Sequence, residues 1–319
     1  MSGAVSTASR PVPGATITKP KRWTAKKKRD FWWGMTFCSP AIIGLLWFTA
    51  YPVLVSLYYS FTSYTMVGGN THWLGLTNYR DLWSDQNWLD SLYNTGYLML
   101  FMVPLGILLA LILALLLNMK VRFLSVYRTI FYLPTIVPFV AAAVVWYYIF
   151  DPQYGAMNDI LSKFGLSAPG WLASPAWTKP ALIILSLWGA GNLMIILLAG
   201  LQDVPVDLHD AARVDGANFL SRFRHITLPF LSPHLLFGLI IGLIGMFQYF
   251  APPYVLFGGT SGPAASGLVS SLYLYQNAFV YFRVGYASAM AWMLFIFIAI
   301  ITALVFRFIG RRVYYAGGE

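Results

Sequence analysis

Residues 92–117 read LYNTGYLMLFMVPLGILLALILALLL, without a single Asp, Glu, Lys or Arg. A helix needs about 20 apolar residues to cross the hydrocarbon core of a bilayer. A charged side chain at its centre costs about 2.5–3.5 kcal/mol. The run is continuous rather than alternating, which suits a helix and not a barrel strand. Five more stretches are equally free of charge: 31–60, 129–150, 181–202, 233–257 and 286–306. The expected fold is an all-α integral membrane protein of six transmembrane helices, occupying 31–309.

Composition agrees. Of 319 residues, 58% are hydrophobic, 17% aromatic and only 10% charged. Soluble domains are about a quarter charged. The excess apolar surface must therefore face lipid, which excludes a soluble enzyme, a secreted disulfide scaffold and a disordered chain. Cys38 is the single cysteine, so one chain has no disulfide or cysteine-based metal framework.

The net charge of +10 gains its meaning from placement. Seventeen of the 21 basic residues lie in the tail before the first span, in the second–third and fourth–fifth connections, and after the sixth span. Only Arg80, Lys163, Lys179 and Arg283 fall on the other side. The positive-inside rule then puts both termini in the cytoplasm. Residues 1–30 read as a disordered basic tail and 310–319 as a second cytoplasmic tail. The cluster Lys26-Lys27-Lys28-Arg29 anchors topology on anionic lipid headgroups and is not a nucleic-acid surface. The first apolar run is too long for a signal-peptide h-region and lacks a small-residue exit, so no cleavage is expected.

No Asp, Glu, Lys or Arg lies inside a proposed span, which argues against proton- or ion-coupled carriage and for an uncharged cargo. His234 at a span entrance reads as a satisfied interfacial histidine. Among interior polar residues, Asn192 follows Trp188-Gly189-Ala190-Gly191, and Gln248 precedes Tyr249 and Phe250. Amides beside aromatic rings suit a sugar, giving hydrogen bonds to hydroxyls and a flat face for its C–H surface. Trp188, Asn192, Gln248 and Tyr249 are therefore candidate pathway residues; hydrogen bonding between spans is the other reading. Small residues (Gly106, Ala110, Ala114; Gly238, Gly242) mark close-packing faces. Pro40, Pro52, Pro104, Pro134 and Pro138 imply kinks or breaks in the first three spans. Residues 268–279 suit a short helix, either at the outer surface or dipping back into the protein.

The connection 203–232 is the polar exception. It reads as two short helices, the first N-capped by Asp207 with Asp210 completing a capping box. Gly216 supplies a left-handed end. Ala217 or Asn218 starts the second helix, with Phe219, Phe223 and Ile226 on one side, and Pro229 and Pro233 end it.

Asp210-Ala211-Ala212, Gly216, Ile226 and Leu228-Pro229 reproduce the spacing E-A-A-x-x-x-G-x9-I-x-L-P, with Asp for Glu. The segment resembles the EAA loop of permease subunits of bacterial ABC importers. Leu198-Ala199-Gly200-Leu201-Gln202, Asp215-Gly216-Ala217, Gly262-Pro263 and Gly285-Tyr286-Ala287-Ser288-Ala289 are similar to its carbohydrate-uptake branch, and the likeness runs over about 35–310. Disaccharide and glycerol-phosphate permeases look nearest.

The resemblance implies a type I, MetI-like permease fold in the cytoplasmic membrane. It implies a coupling loop in which Asp210, Ala211, Ala212, Asp215, Gly216, Ala217, Ile226, Leu228 and Pro229 meet an ATPase subunit. It also implies a second homologous permease, two ATPase subunits carrying ATP and Mg, and an extracytoplasmic solute-binding protein. The chain has no G-x-x-x-x-G-K-[ST] loop, and no catalytic residue, metal ligand or cofactor of its own is expected. A stand-alone secondary carrier or channel for a neutral solute is the alternative. A membrane enzyme is disfavoured because Glu319 is the only glutamate and the histidines show no ligand spacing.

Overall fold

The computed structural model describes residues 24–69, 71–119 and 122–314. The tail before residue 24, Lys120 and residues 315–319 lie outside the described residues, and so do the expectations that fall on them.

The chain divides into two units, 1–55 and 56–319. The first contains α1 (Ala25–Leu45), whose N-cap Thr24 accepts from the Lys27 N–H at 3.4 Å. A π turn (Leu46–Ala50) leads into α2 (Tyr51–Ser60). Pro40 sits inside α1 without a break, whereas Pro52 follows the π turn, where one wider turn accommodates a ring that cannot donate a hydrogen bond.

Among the described residues the regular elements of the second unit are helices joined by loops, apart from one isolated bridge between Thr62 and Trp73. After α3 (Thr77–Ser84) comes α4 (Gln86–Leu117), the 32-residue helix that contains the stretch quoted above. Asp85 starts it six residues earlier than the charge pattern alone indicates, its Oδ1 accepting from the N–H groups of Asn87 and Trp88. There follow α5 (Leu124–Tyr132), α6 (Phe139–Ile149), α7 (Ala156–Lys163), α8 (Pro175–Leu187) and α9 (Gly191–Gln202). The loop helices α10 (Val206–Val214) and α11 (Phe219–Arg222) lead into α12 (Leu228–Phe247). Then come α13 (Ala251–Leu256), α14 (Ser270–Tyr275) and α15 (Val284–Phe308).

Among the described residues, four helical runs are long and apolar enough to cross a membrane: Ala25–Ser60, Gln86–Leu117, Phe219–Leu256 and Val284–Phe308. The number rises to six if each of two bent pairs counts as one span. The third and fourth expected spans are these pairs. Leu124–Ile136 and Phe139–Ile149 meet at 99°, and Pro175–Leu187 and Gly191–Gln202 at 47°. Pro134 and Pro138 account for the first break, since Pro138 lacks an N–H and drives Val137 into extended backbone. The second break falls at Trp188-Gly189-Ala190. It is held by tertiary contact, because a Cβ at Gly191 would strike the Phe131 carbonyl oxygen and stand 3.0 Å from Thr135. The two bends thus touch each other.

Two apolar clusters hold the helices of the second unit together. The larger joins Trp88, Leu98 and Met102 of α4 to Trp146, Phe150, Leu182, Phe247, Leu272 and Met290. The smaller packs Ala110, Ala114 and Leu117 of α4 against Met194, Leu197, Leu201 and Leu231, at the end of α9 that enters the loop. Ala110 and Ala114 thus act as the small residues that allow close approach. Gly238 abuts Leu193, and Gly242 abuts Val103. Residues 268–279 take the inward alternative: Leu268, Val269, Leu272 and Asn277 are buried, with α14 against α4.

Candidate functional site

The polar connection begins where α9 ends at Gln202. Pro205 takes the N-cap position of α10, so the helix starts two residues before the sequence pattern indicates. Asp207 is therefore in the first turn rather than at the cap, and no side chain caps this end. It still faces the positive end of the helix dipole. Asp210 does not complete a capping box. It accepts from Arg213 Nη1 at 2.7 Å, an i,i+3 pair in solvent.

The other end of α10 matches the expectation from Gly216. The Gly216 N–H donates to Arg213 O, and the Ala217 N–H donates to Ala212 O at 2.8 Å. These two bonds make a Schellman turn. It requires the left-handed backbone that Gly216 adopts at φ +77°. Asp215 is the C-cap. Asn218 then caps α11, its Oδ1 accepting from the Ser221 N–H at 2.8 Å. The second helix does not stop at Pro229. A π turn over Phe223–Thr227 carries it directly into α12, with Pro229 in the first turn and Pro233 inside. In a regular helix the Pro229 ring would meet the carbonyl four residues back; the wider turn relieves that clash. Ile226 lies in this turn, half-buried beside Leu228 and Pro229. The expected stripe survives as Phe219 stacked on Phe223, with ring centroids 6.5 Å apart.

None of the α10 side chains is buried. Ala211 is exposed and Ala212 and Ala217 are half-buried, while Val214 is 88% and Phe219 70% exposed. The loop therefore offers apolar groups, a carboxylate and small residues on a rigid turn, a surface suited to a protein partner. Behind it lies a groove of about 560 Å³ between Ile112, Leu116 and Met119 at the end of α4 and His209, Arg213 and Phe223 of the loop.

The four candidate pathway residues all fall at helix breaks. Trp188 closes α8 and meets Trp146 edge-on at 6.4 Å; Asn192 opens α9 and is exposed. Gln248 is the exposed C-cap of α12. Tyr249 follows it in the break before α13, its carbonyl accepting from Ser271 Oγ at 2.7 Å and its buried hydroxyl lacking a partner among the described residues. No hydrogen bond among the described residues joins the pair at α8–α9 to the pair at α12–α13. His234 differs from the reading of a satisfied histidine. Its ring fills the space a Cβ at Gly200 would need, and its buried Nδ1 has no partner among the described residues.

One polar centre escaped the sequence reading. Asp85, besides capping α4, accepts at Oδ2 from Tyr273 at 2.6 Å and Tyr286 at 2.7 Å. Burial, reinforced by the hydrogen bond to Asp85, pushes the Tyr273 phenol up to about 12. The sequence showed only an Asp before a helix; nothing local announced tyrosines nearly 200 positions away. Lys179 likewise lies over the rings of Tyr93 and Tyr97, at 4.6 and 4.9 Å.

Residues 102–314 match the family described as "Binding-protein-dependent transport system inner membrane component". The chain is 40% identical over 295 residues to the probable ABC transporter permease protein YesP of Bacillus subtilis (strain 168), covering 92% of this chain and 95% of that one. It is 33% identical over 276 residues to the sulfoquinovosyl glycerol transport system permease protein SmoG of Agrobacterium fabrum, covering 86% and 89%. Its fold matches a chain in the crystal structure of a bacterial alginate ABC transporter in complex with an alginate pentasaccharide-bound periplasmic protein. That match has a TM-score of 0.77 at 25% identity, covering 89% of this chain and 94% of the other. A helical chain whose apolar runs can cross a bilayer and whose family match spans most of its length has one place among known proteins: it belongs to the binding-protein-dependent inner membrane components, as a multi-pass permease subunit of an ABC transporter.

Proposed function

We propose that this chain forms half of an import pathway for a sugar, an oligosaccharide, disaccharide or related polyol derivative. Closure of a separate ATPase pair drives it through the 203–232 loop. The observation that carries this reading is the α10 turn: an exposed helix ended by a complete Schellman motif at Gly216 and followed at once by a second capped helix. Such a rigid projection transmits force without melting. Asp210 supplies the acidic contact, Ala211 and Ala212 the close-fitting face, and Ala217, Ile226, Leu228 and Pro229 tie the loop to α12.

The partners are a second homologous permease, two ATPase subunits holding ATP and Mg, and an extracytoplasmic solute-binding protein. The alginate transporter bound to its periplasmic protein and the sugar-named relative support that assembly and cargo class. Both termini lie in the cytoplasm with the basic residues, and Trp188, Asn192, Gln248 and Tyr249 meet the cargo at the breaks in the spans. Gly216→Val is expected to abolish uptake in the assembled transporter while the subunit inserts at normal levels. Radiolabelled sugar uptake, with quantification of the membrane fraction, tests this; near-normal uptake would sink the assignment of the loop.

A further inference from the structure

A second cleft stands apart from these residues. It holds about 620 Å³ between the end of α6 and the glycine turns that follow α13, within the range of about 300–1,000 Å³ of small-ligand sites. Tyr147 and Phe257 form its walls, Phe150 and Leu256 its floor, and Asp151 its charged group. Tyr147 sits in the last turn of α6 and Asp151 two residues past its end, so one chain segment supplies both the ring and the carboxylate that line the cleft. The Asp151 side chain is held still: Oδ1 accepts from the N–H groups of Gln153 and Tyr154, both at 2.8 Å. Its Oδ2 has no hydrogen bond or ion pair among the described residues.

We propose that this cleft is a carbohydrate subsite at the outer mouth of the pathway, selective for neutral sugars. The proposal rests on the sugar-import reading above. A fixed carboxylate accepts hydrogen bonds from sugar hydroxyls, and the exposed Tyr147 ring covers a C–H face. No basic side chain lines the cleft, so a uronate or sulfonate would meet Asp151 without a counter-charge. The subsite adjoins the inner candidates on two sides. Trp146, next to Tyr147, touches Trp188. The six residues of α13, about 9 Å of helix, separate the cleft from Gln248 and Tyr249.

The test uses the complete transporter in membranes and saturation-transfer difference NMR with lactose as the neutral probe and digalacturonate as the acidic one. Asn192→Ala with Gln248→Ala provides a background in which the breaks in the spans no longer bind. In that background lactose is expected to bind and digalacturonate not. Losing a hydrogen bond to a charged group is expected to weaken lactose binding about tenfold in Asp151→Asn, and Tyr147→Ala is expected to weaken it as well. Asparagine keeps the oxygen that accepts from Gln153 and Tyr154, so the turn stays intact; membrane levels verify it. Loss of all lactose binding in the background alone, or binding indifferent to Asp151→Asn and Tyr147→Ala, overturns the subsite while sugar import stands. A wild-type transporter that binds neither lactose nor maltose, trehalose or cellobiose overturns the sugar reading and the subsite with it. An effect of Asp151→Asn confined to samples containing the solute-binding protein assigns the cleft to that protein instead.

Discussion

Gly216 has open space around it: a Cβ there would meet nothing within 4 Å. The whole penalty of a substitution is thus backbone conformation, about 1–2 kcal/mol for an ordinary residue held left-handed and more for a β-branched one. Asparagine tolerates that region. Gly216→Asn should retain most of the uptake that Gly216→Val loses, at equal membrane abundance; equal loss in both variants would show that something other than the turn is at stake. Asp210 makes a different case. Its partner Arg213 is as exposed as it is, and such pairs contribute about 0–1 kcal/mol. Asp210→Ala should leave the melting temperature nearly unchanged while uptake falls several-fold, with Asp210→Glu, the residue usual in the resembled motif, restoring it. A parallel fall in melting temperature and uptake would make the residue structural. These positions were legible because turn chemistry is local: a glycine after a helical run and an asparagine before one carry their own geometry. The exception is Asp207, moved off the cap when Pro205 started the helix two residues early.

At the scale of elements, the Asp85 centre binds the start of α4 to α14 and α15. Raised from 10 to about 12, the Tyr273 phenol contributes stability that is fully present below pH 10 and is lost as pH rises through 12. Ultraviolet titration of tyrosinate in the purified protein should show a late-ionising phenol in that window. Asp85→Asn, which keeps an oxygen for the cap but removes the charge, should bring it closer to 10. No change in the titration would dissolve the link. The uncharged stretch 286–306 falls within Val284–Phe308. The stretches starting at 31, 92, 129, 181 and 233 begin five or six residues into their helices, because polar and charged residues can extend a helix past the lipid. The charge pattern did not reveal the break at Trp188–Ala190 or the π turn at Phe223–Thr227. Both depend on what lies opposite: the Phe131 carbonyl against Gly191, and a proline ring accommodated by a widened turn.

At the scale of the molecule, the distribution of basic residues predicts which end of each helix meets the cytoplasm. It can be read with single cysteines on a Cys38→Ser background. Val214 and Tyr154 are the natural positions, 88% and 89% exposed. A membrane-impermeant maleimide added to intact cells should modify Tyr154→Cys and spare Val214→Cys, and the pattern should reverse in inside-out vesicles. Modification of both from one side would discard the orientation. Composition made the membrane legible and the loop motif made the family legible. The cleft at Tyr147, Asp151 and Phe257 was not, because it is assembled from segments more than 100 residues apart.

The contact between the two bent pairs carries a mechanical corollary. Gly191, at the knee of one pair, presses on Phe131, Tyr132 and Thr135, at the knee of the other. A joint this tight has no slack at the knuckle: a single methyl group at residue 191 would strike the Phe131 carbonyl and push the two pairs apart.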